Sequence, residues 1–311
     1  MERATEGLPL MQDEGMWTFD NAPLALLRRY YGFLPDPRWL DRVRMASVRF
    51  NDGGSGSFVS SRGLVLTNHH VALGQLQKMS GAKKDYVKDG FLARSPAQEK
   101  PCPDLEINQL VSLEEVTARV NAAIDPKALE SLQNEQRKAE TSRIEKESTD
   151  STGLRSDVVE LYQGGEYWLY RFKKYTDVRL VMAPELEAAF FGGDPDNFTY
   201  PRYALDFAFF RVYEGGKPAR SPSFFPFSAK GVGEGELCFV TGHPGSTDRL
   251  LTLSQLRLQR DTVVPARLGF LRERREGLSR YAAGNAERAR RAQDLVFRVE
   301  NSIKAMEGEY E

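Results

Sequence analysis

A chain of 311 residues, 41% hydrophobic and 28% charged, has enough apolar content for one large core or two smaller ones, which excludes disorder as the default. Its 43 basic residues nearly cancel its 44 acidic ones, and a formal net charge of −1 offers nothing to nucleic acid or an anionic membrane surface. No apolar run approaches the roughly 18–20 residues of a membrane span, and MERATEGLPLMQ at the start has acidic residues where an export signal has its apolar region, so no signal peptide is expected in this chain.

From Met45 onward, MASVRF, NDGGSGS, FVSS and LVLTNHHVA alternate short apolar or β-branched runs with Gly, Ser, Asn and Asp, which predicts antiparallel hairpins. Between Ser112 and about Ser151 the text is rich in Glu, Lys, Ala and Leu and almost free of Gly, which predicts solvated helix. Ser112 with Glu115 reads as a capping box opening the first helix, and Asp125-Pro126 as the break before a second. Strand patterns return over Asp177–Pro184, Ala204–Glu214 and Gly235–Gly245. From Leu250 the chain turns helical again, with Pro265 as a break, and Leu295, Val296, Val299 and Ile303 form an apolar stripe that needs a partner surface. The expected division is a β region over 1–111 and 176–249, a helical insert over 112–175 and the beginning of a helical domain over 250–311.

Cys102 and Cys238 lack the spacing of a zinc knuckle or redox pair and are either free thiols or one long-range bridge. The chain has three histidines, and two of them, His69 and His70, are adjacent at the end of an apolar run. On a strand they would point to opposite faces, which disfavours a shared metal site, including one completed by His243. Asp206 sits in the apolar run ALDFAFFRVYE, where a lone buried carboxylate would cost several kcal/mol, on the order of that for any unpaired buried charge. Its partner is a protonated imidazole, backbone amides, or one of Arg202 and Arg211.

Taken in order, Thr67-Asn68-His69-His70, the Asp206 strand and Phe239-Val240-Thr241-Gly242-His243-Pro244-Gly245 follow the sequence in which chymotrypsin-like peptidases present histidine, aspartate and the first strand of the second barrel. Asp13-Glu14-Gly15-Met16-Trp17, Gly53 to Ser60, Gly63 to His70, Phe191 to Tyr213 and Gly242 to Gly245 together make the chain resemble the bacterial exopeptidases that include dipeptidyl-peptidases 7 and 11. The resemblance implies a chymotrypsin-like double β-barrel, here its first barrel and the first strand of the second, with a helical insert and the start of a helical domain. It implies that His70 is the general base, that Asp206 orients its ring, and that Asn197 helps bind the substrate's α-amino group, with Phe198 standing where better-known members have tryptophan. It further implies oligopeptide substrates with a free N-terminus, no metal or organic cofactor, a homodimer as one state of the complete protein, and a periplasmic or secreted location.

Two departures bear on this. Gly54 and Val71 replace the cysteine pair that brackets the histidine hairpin in the family. The family's nucleophilic serine lies far downstream in a glycine-flanked motif, and no Gly-Asn-Ser-Gly or Gly-Asp-Ser-Gly follows Asp206; Ser246 reads as a turn residue, and Ser55 and Ser57 belong to the hairpin before His70. The expectation is an N-terminal fragment of a serine-type dipeptidyl-peptidase, inactive by itself. The alternative is a non-catalytic module that binds peptide N-termini through Asn197.

Overall fold

The computed structural model describes residues 15–81, 83–189, 196–244 and 251–310. Two helices, α1 (Leu24–Tyr31) and α2 (Pro37–Ala46), precede the sheet. Pro37 suits the first turn of α2, where its missing N–H costs nothing, and the Asp36 side chain caps the helix by accepting from Trp39 N at 2.7 Å. Three short strands follow, β1 (Ser47–Phe50), β2 (Ser55–Phe58) and β3 (Leu64–Thr67), which are the hairpins the sequence predicts. The chain then enters α3 (His69–Met79), passes α4 (Tyr86–Asp89), β4 (Phe91–Leu92) and β5 (Lys100–Pro101), and reaches the long strand β6 (Ile107–Glu115).

After β6 come α5 (Thr117–Ala122) and α6 (Glu130–Thr152), then β7 (Arg155–Leu161), β8 (Glu166–Tyr175), β9 (Asp177–Ala183), β10 (Ala208–Glu214) and β11 (Lys217–Pro218). The break at Asp125-Pro126 falls between α5 and α6 as expected. The capping box does not: Ser112 and Glu115 lie within β6, paired with Arg171 and Trp168 of β8. A Ser-x-x-Glu spacing caps a helix only where the chain leaves extended geometry, and here β8 supplies a partner through Glu115. Nor is 112–175 helical throughout, because residues after Gly153 return as the β7–β8 hairpin and extend the sheet.

The eleven strands among the described residues form one antiparallel sheet in the order β4-β9-β10-β3-β2-β1-β6-β8-β7, with β11 beside β10 and β5 beside β9. The path is open: its ends, β4 and β7, do not pair, so a closed barrel is not formed. The main core includes Val48, Phe50, Phe58, Val65, Leu180 and Phe210, each at most 1% exposed. Phe50 and Phe210 meet edge-on at 5.7 Å between ring centres, a favoured aromatic geometry. A second cluster of Val116, Val120, Ile144, Tyr167 and Leu169 packs α5 and α6 against β8.

The run Gly235–Gly245 departs from expectation, since residues 235–244 form no strand and Val240 is fully exposed, while Gly245 lies outside the described residues. A strand exists only by pairing, and no strand pairs with this run among the described residues. Three helices close the described chain: α7 (Leu253–Leu258), α8 (Val264–Ala282) and α9 (Ala286–Tyr310). Pro265 does not break them apart. A π-turn at Gln259–Val263 carries the helix into α8, with Val264 N–H bonding to the Gln259 carbonyl, so Pro265 falls in a first turn that tolerates it. The apolar stripe finds its partner in part: Val299 and Ile303 of α9 bury against Leu268 of α8, while Leu295 stays exposed.

Candidate active site

The placement of the site follows from strand register. Ala208 of β10 pairs with Thr67 of β3 in an antiparallel ladder, so the residues just before β10 lie level with those just after β3. At Asn68 the backbone is still extended, and at His69 it turns into α3. The expectation that His69 and His70 sit on a strand is therefore corrected: they are the first two residues of a helix, which separates them by about 100° around its axis. His69 is 1% exposed and turns inward. Burial lowers its pKa, against the opposing influence of Asp206 and a hydrogen bond to the Pro184 carbonyl. His70 turns to Asp206.

The Asp206 carboxylate meets His70 twice. Its Oδ2 lies 2.8 Å and its Oδ1 3.1 Å from His70 Nδ1, and Oδ1 also accepts from the His70 backbone N–H at 3.0 Å. Asn68 Nδ2 donates to Asp206 Oδ2 and to the Asp206 carbonyl oxygen, both at 3.2 Å. Burial pushes the carboxyl pKa up, but the bonds from the His70 ring, its charge and its amide, with that from Asn68, outweigh burial and hold it below the ordinary value. An ionised carboxylate only accepts, so the proton of a neutral His70 ring belongs on Nδ1 and the lone pair on Nε2. Such an imidazole can take a proton from a hydroxyl placed at Nε2. The other partners open to Asp206 are engaged elsewhere: Arg211 binds Glu99 Oε1 at 2.9 Å and the Arg62 carbonyl, and Arg202 binds Asn197 Oδ1 at 2.8 Å.

Asn197 is buried at 1% exposure, and both ends of its amide are used, since its Nδ2 donates to Asn301 Oδ1 on α9 at 3.0 Å. The same helix lies along α3, where Gln77 bonds to the Arg290 carbonyl. Phe198 follows with φ +62° and is largely exposed. Residues 191–195 of the Phe191–Tyr213 block lie outside the described residues, as do Asp13, Glu14 and Ser246.

The serines before His70 serve the scaffold. Ser55 Oγ accepts from His243 N at 2.7 Å, and its carbonyl takes the Thr67 hydroxyl at 2.7 Å. Gly242 is required there, because a Cβ would stand 2.6 Å from Ser55 Oγ. Ser57 lines a cavity of about 800 Å³ together with Trp39, Phe224, Phe225, Phe239 and Val240, a space that neither His70 nor Asp206 lines. His243 is packed between Phe19 and Phe172, each 6.2 Å from its ring centre, and burial beside Arg49 pushes its pKa down to about 4. Cys102 is buried and Cys238 exposed, and both are free thiols. Gly54 and Val71 are neighbours: a Cβ at position 54 would lie 3.3 Å from that of Val71. Sequence reasoning missed Asn68 and Asn301, and offered Arg202 as a partner of Asp206 where it binds Asn197. For Asn68 a signal was present, an asparagine at the point where an apolar strand gives way to helix.

Comparison with known proteins bears on the chain as a whole. The Peptidase S46 family profile matches residues 12–311. The dipeptidyl-peptidase 7 of Porphyromonas endodontalis is 33% identical over 264 residues, which are 79% of this chain and 32% of that protein. The Asp/Glu-specific dipeptidyl-peptidase of Capnocytophaga gingivalis is 35% identical over 244 residues, 73% of this chain and 34% of that one. The crystal structure of P. endodontalis DPP11 with the dipeptide Arg-Glu superimposes with a TM-score of 0.74 at 27% identity, covering 96% of this chain and 46% of that one. The chain spans about a third of the length of these curated relatives. With a family profile matched over nearly its whole length and this sheet shared with solved relatives, the chain belongs to the peptidase S46 family.

Proposed function

We propose that the protein acts as a serine-type dipeptidyl-peptidase that releases dipeptides from the free N-terminus of oligopeptides, with His70 as general base and Asp206 as its orienting carboxylate. The observation that carries this is the His70 Nδ1 to Asp206 Oδ2 contact of 2.8 Å, with the carboxylate also bound to the His70 amide. In the reaction, His70 Nε2 takes the proton of a serine hydroxyl as that oxygen attacks the scissile carbonyl, then returns it to the leaving amine; Asp206 holds the tautomer and stabilises the imidazolium. The serine is not among these 311 residues in this reading. The sheet around β3 and β10 then corresponds to the first barrel of a chymotrypsin-like pair, and residues 235–244 to the entry into the second.

Asn197 is the family's candidate for the substrate's ammonium; its carbonyl oxygen has a second lone pair beside the one Arg202 uses, and at 1% exposure the side chain meets a ligand only when the loop around it opens. The test is to express the protein from its complete reading frame and assay peptides with free and with acetylated N-termini. Dipeptide release from the free form alone, abolished by His70→Ala with folding retained, is expected. Turnover that survives His70→Ala would sink the assignment, and peptide binding without hydrolysis by the complete protein would favour the non-catalytic module instead.

A further inference from the structure

Asparagine is among the residues most favoured just before a helix, because its side-chain oxygen accepts an N–H of the first turn. Asn68 occupies that position of α3 and makes no such bond. The His70 N–H of that turn goes instead to Asp206 Oδ1 at 3.0 Å, so a carboxylate 136 residues away caps the helix, at the end where the helix dipole favours negative charge. Asn68 is thereby free to turn its amide to the same residue, donating to both the carboxylate and the carbonyl oxygen of Asp206.

The geometry gives these bonds a specific consequence. The terminal torsion of an aspartate is broad and nearly two-fold, so its plane is chosen by the donors on its two oxygens. Oδ1 is held by the His70 amide, whereas Oδ2 has Asn68 as its donor besides the imidazole itself. Without Asn68 the carboxylate is aligned on that side only by the ring it has to align. We propose that Asn68 is a positioning residue of the reaction: its amide fixes the plane of Asp206 and, through Asp206, the orientation of the His70 ring. The inference rests on the assignment of His70 and Asp206 as base and orienter.

A purely structural role for Asn68 has little to act through. The residue is exposed, so its truncation opens no cavity, and it makes no cap bond to lose. The test compares Asn68→Ala with Asn68→Leu, which keeps the size of the side chain but removes the donor without adding a charge beside Asp206. In the complete protein both variants should lower kcat about tenfold, the effect of losing a hydrogen bond to a charged group, with KM and the melting temperature unchanged. The low-field proton resonance of His70 Nδ1 should broaden in both and vanish in Asp206→Ala. Wild-type kcat and an unaltered resonance in the variants would overturn the proposal, and so would a kcat loss that tracks a fall in melting temperature. His70→Ala, run alongside, separates the two levels: activity retained there defeats the assignment of the base, whatever Asn68 does.

Discussion

Two apolar runs of this chain read alike and fold differently. Ala208–Glu214 becomes β10, central between β9 and β3, with Phe210 wholly buried; Gly235–Thr241, which contains Leu237, Phe239 and Val240, forms no strand and leaves Val240 fully exposed. The difference lies outside both runs. β10 has a neighbour on each side to take its N–H and C=O groups, and residues 235–241 have none among the described residues, so strand propensity there goes unused. The His70–Asp206 pair is anchored to the paired sheet, while the run after residue 235 is tied on by side-chain bonds such as Ser47 Oγ to Thr241 Oγ1 at 2.9 Å.

The contrast can be broken most sharply at Phe210. Phe210→Ala should cost about 3–5 kcal/mol in a denaturant titration, the usual loss for a phenylalanine removed from a closed core; a loss under about 1 kcal/mol would mean that β10 is no better held than the 235–241 run. A smaller effect is expected at His243. Its pKa in the fold, about 4, lies below the ordinary 6.5, so it contributes stability in full above pH 6.5, and that contribution declines as pH falls toward 4. His243→Phe should flatten the stability profile across that window, and an unchanged slope would show the ring to be hydrated. The smallest effect belongs to Val240→Lys, which should stay within about 0.5 kcal/mol of the parent because the side chain, at the open rim of the cavity beside Phe239, is fully exposed.

The site was more legible than the ground it stands on. The order of histidine, aspartate and glycine-rich turn singles out His70 and Asp206 as a pair, and the structure brings those two side chains into contact. Strand alternation would hold His69 and His70 on opposite faces, but at both residues the chain has already turned into α3; only the antiparallel register of β10 on β3, a long-range fact, fixes which histidine meets Asp206. The helix α6 was visible because Glu, Lys, Ala and Leu persist there without glycine. The box at Ser112 and Glu115 misled because β6 is a strand only by virtue of β8, some 50 residues later, while a real capping box, Thr252 with Gln255, opens α7. Asn68 was passed over for a related reason: its local role as a cap is the common one, and its actual partner lies across the fold.

The Gly54–Val71 contact carries a consequence for chemistry of another kind. Where the resemblance implies a covalent bridge across the histidine hairpin, this chain has a van der Waals contact, and its two cysteines are both unbridged. Nothing in the hairpin can be opened by a reductant or needs an oxidant to form. The thiol best placed inside the core, Cys102, is held in its protonated form by burial, with a pKa of about 12, and so is a poor partner for exchange. The alignment of His70 with Asp206 is therefore indifferent to redox potential, and glutathione or dithiothreitol should leave it as it is.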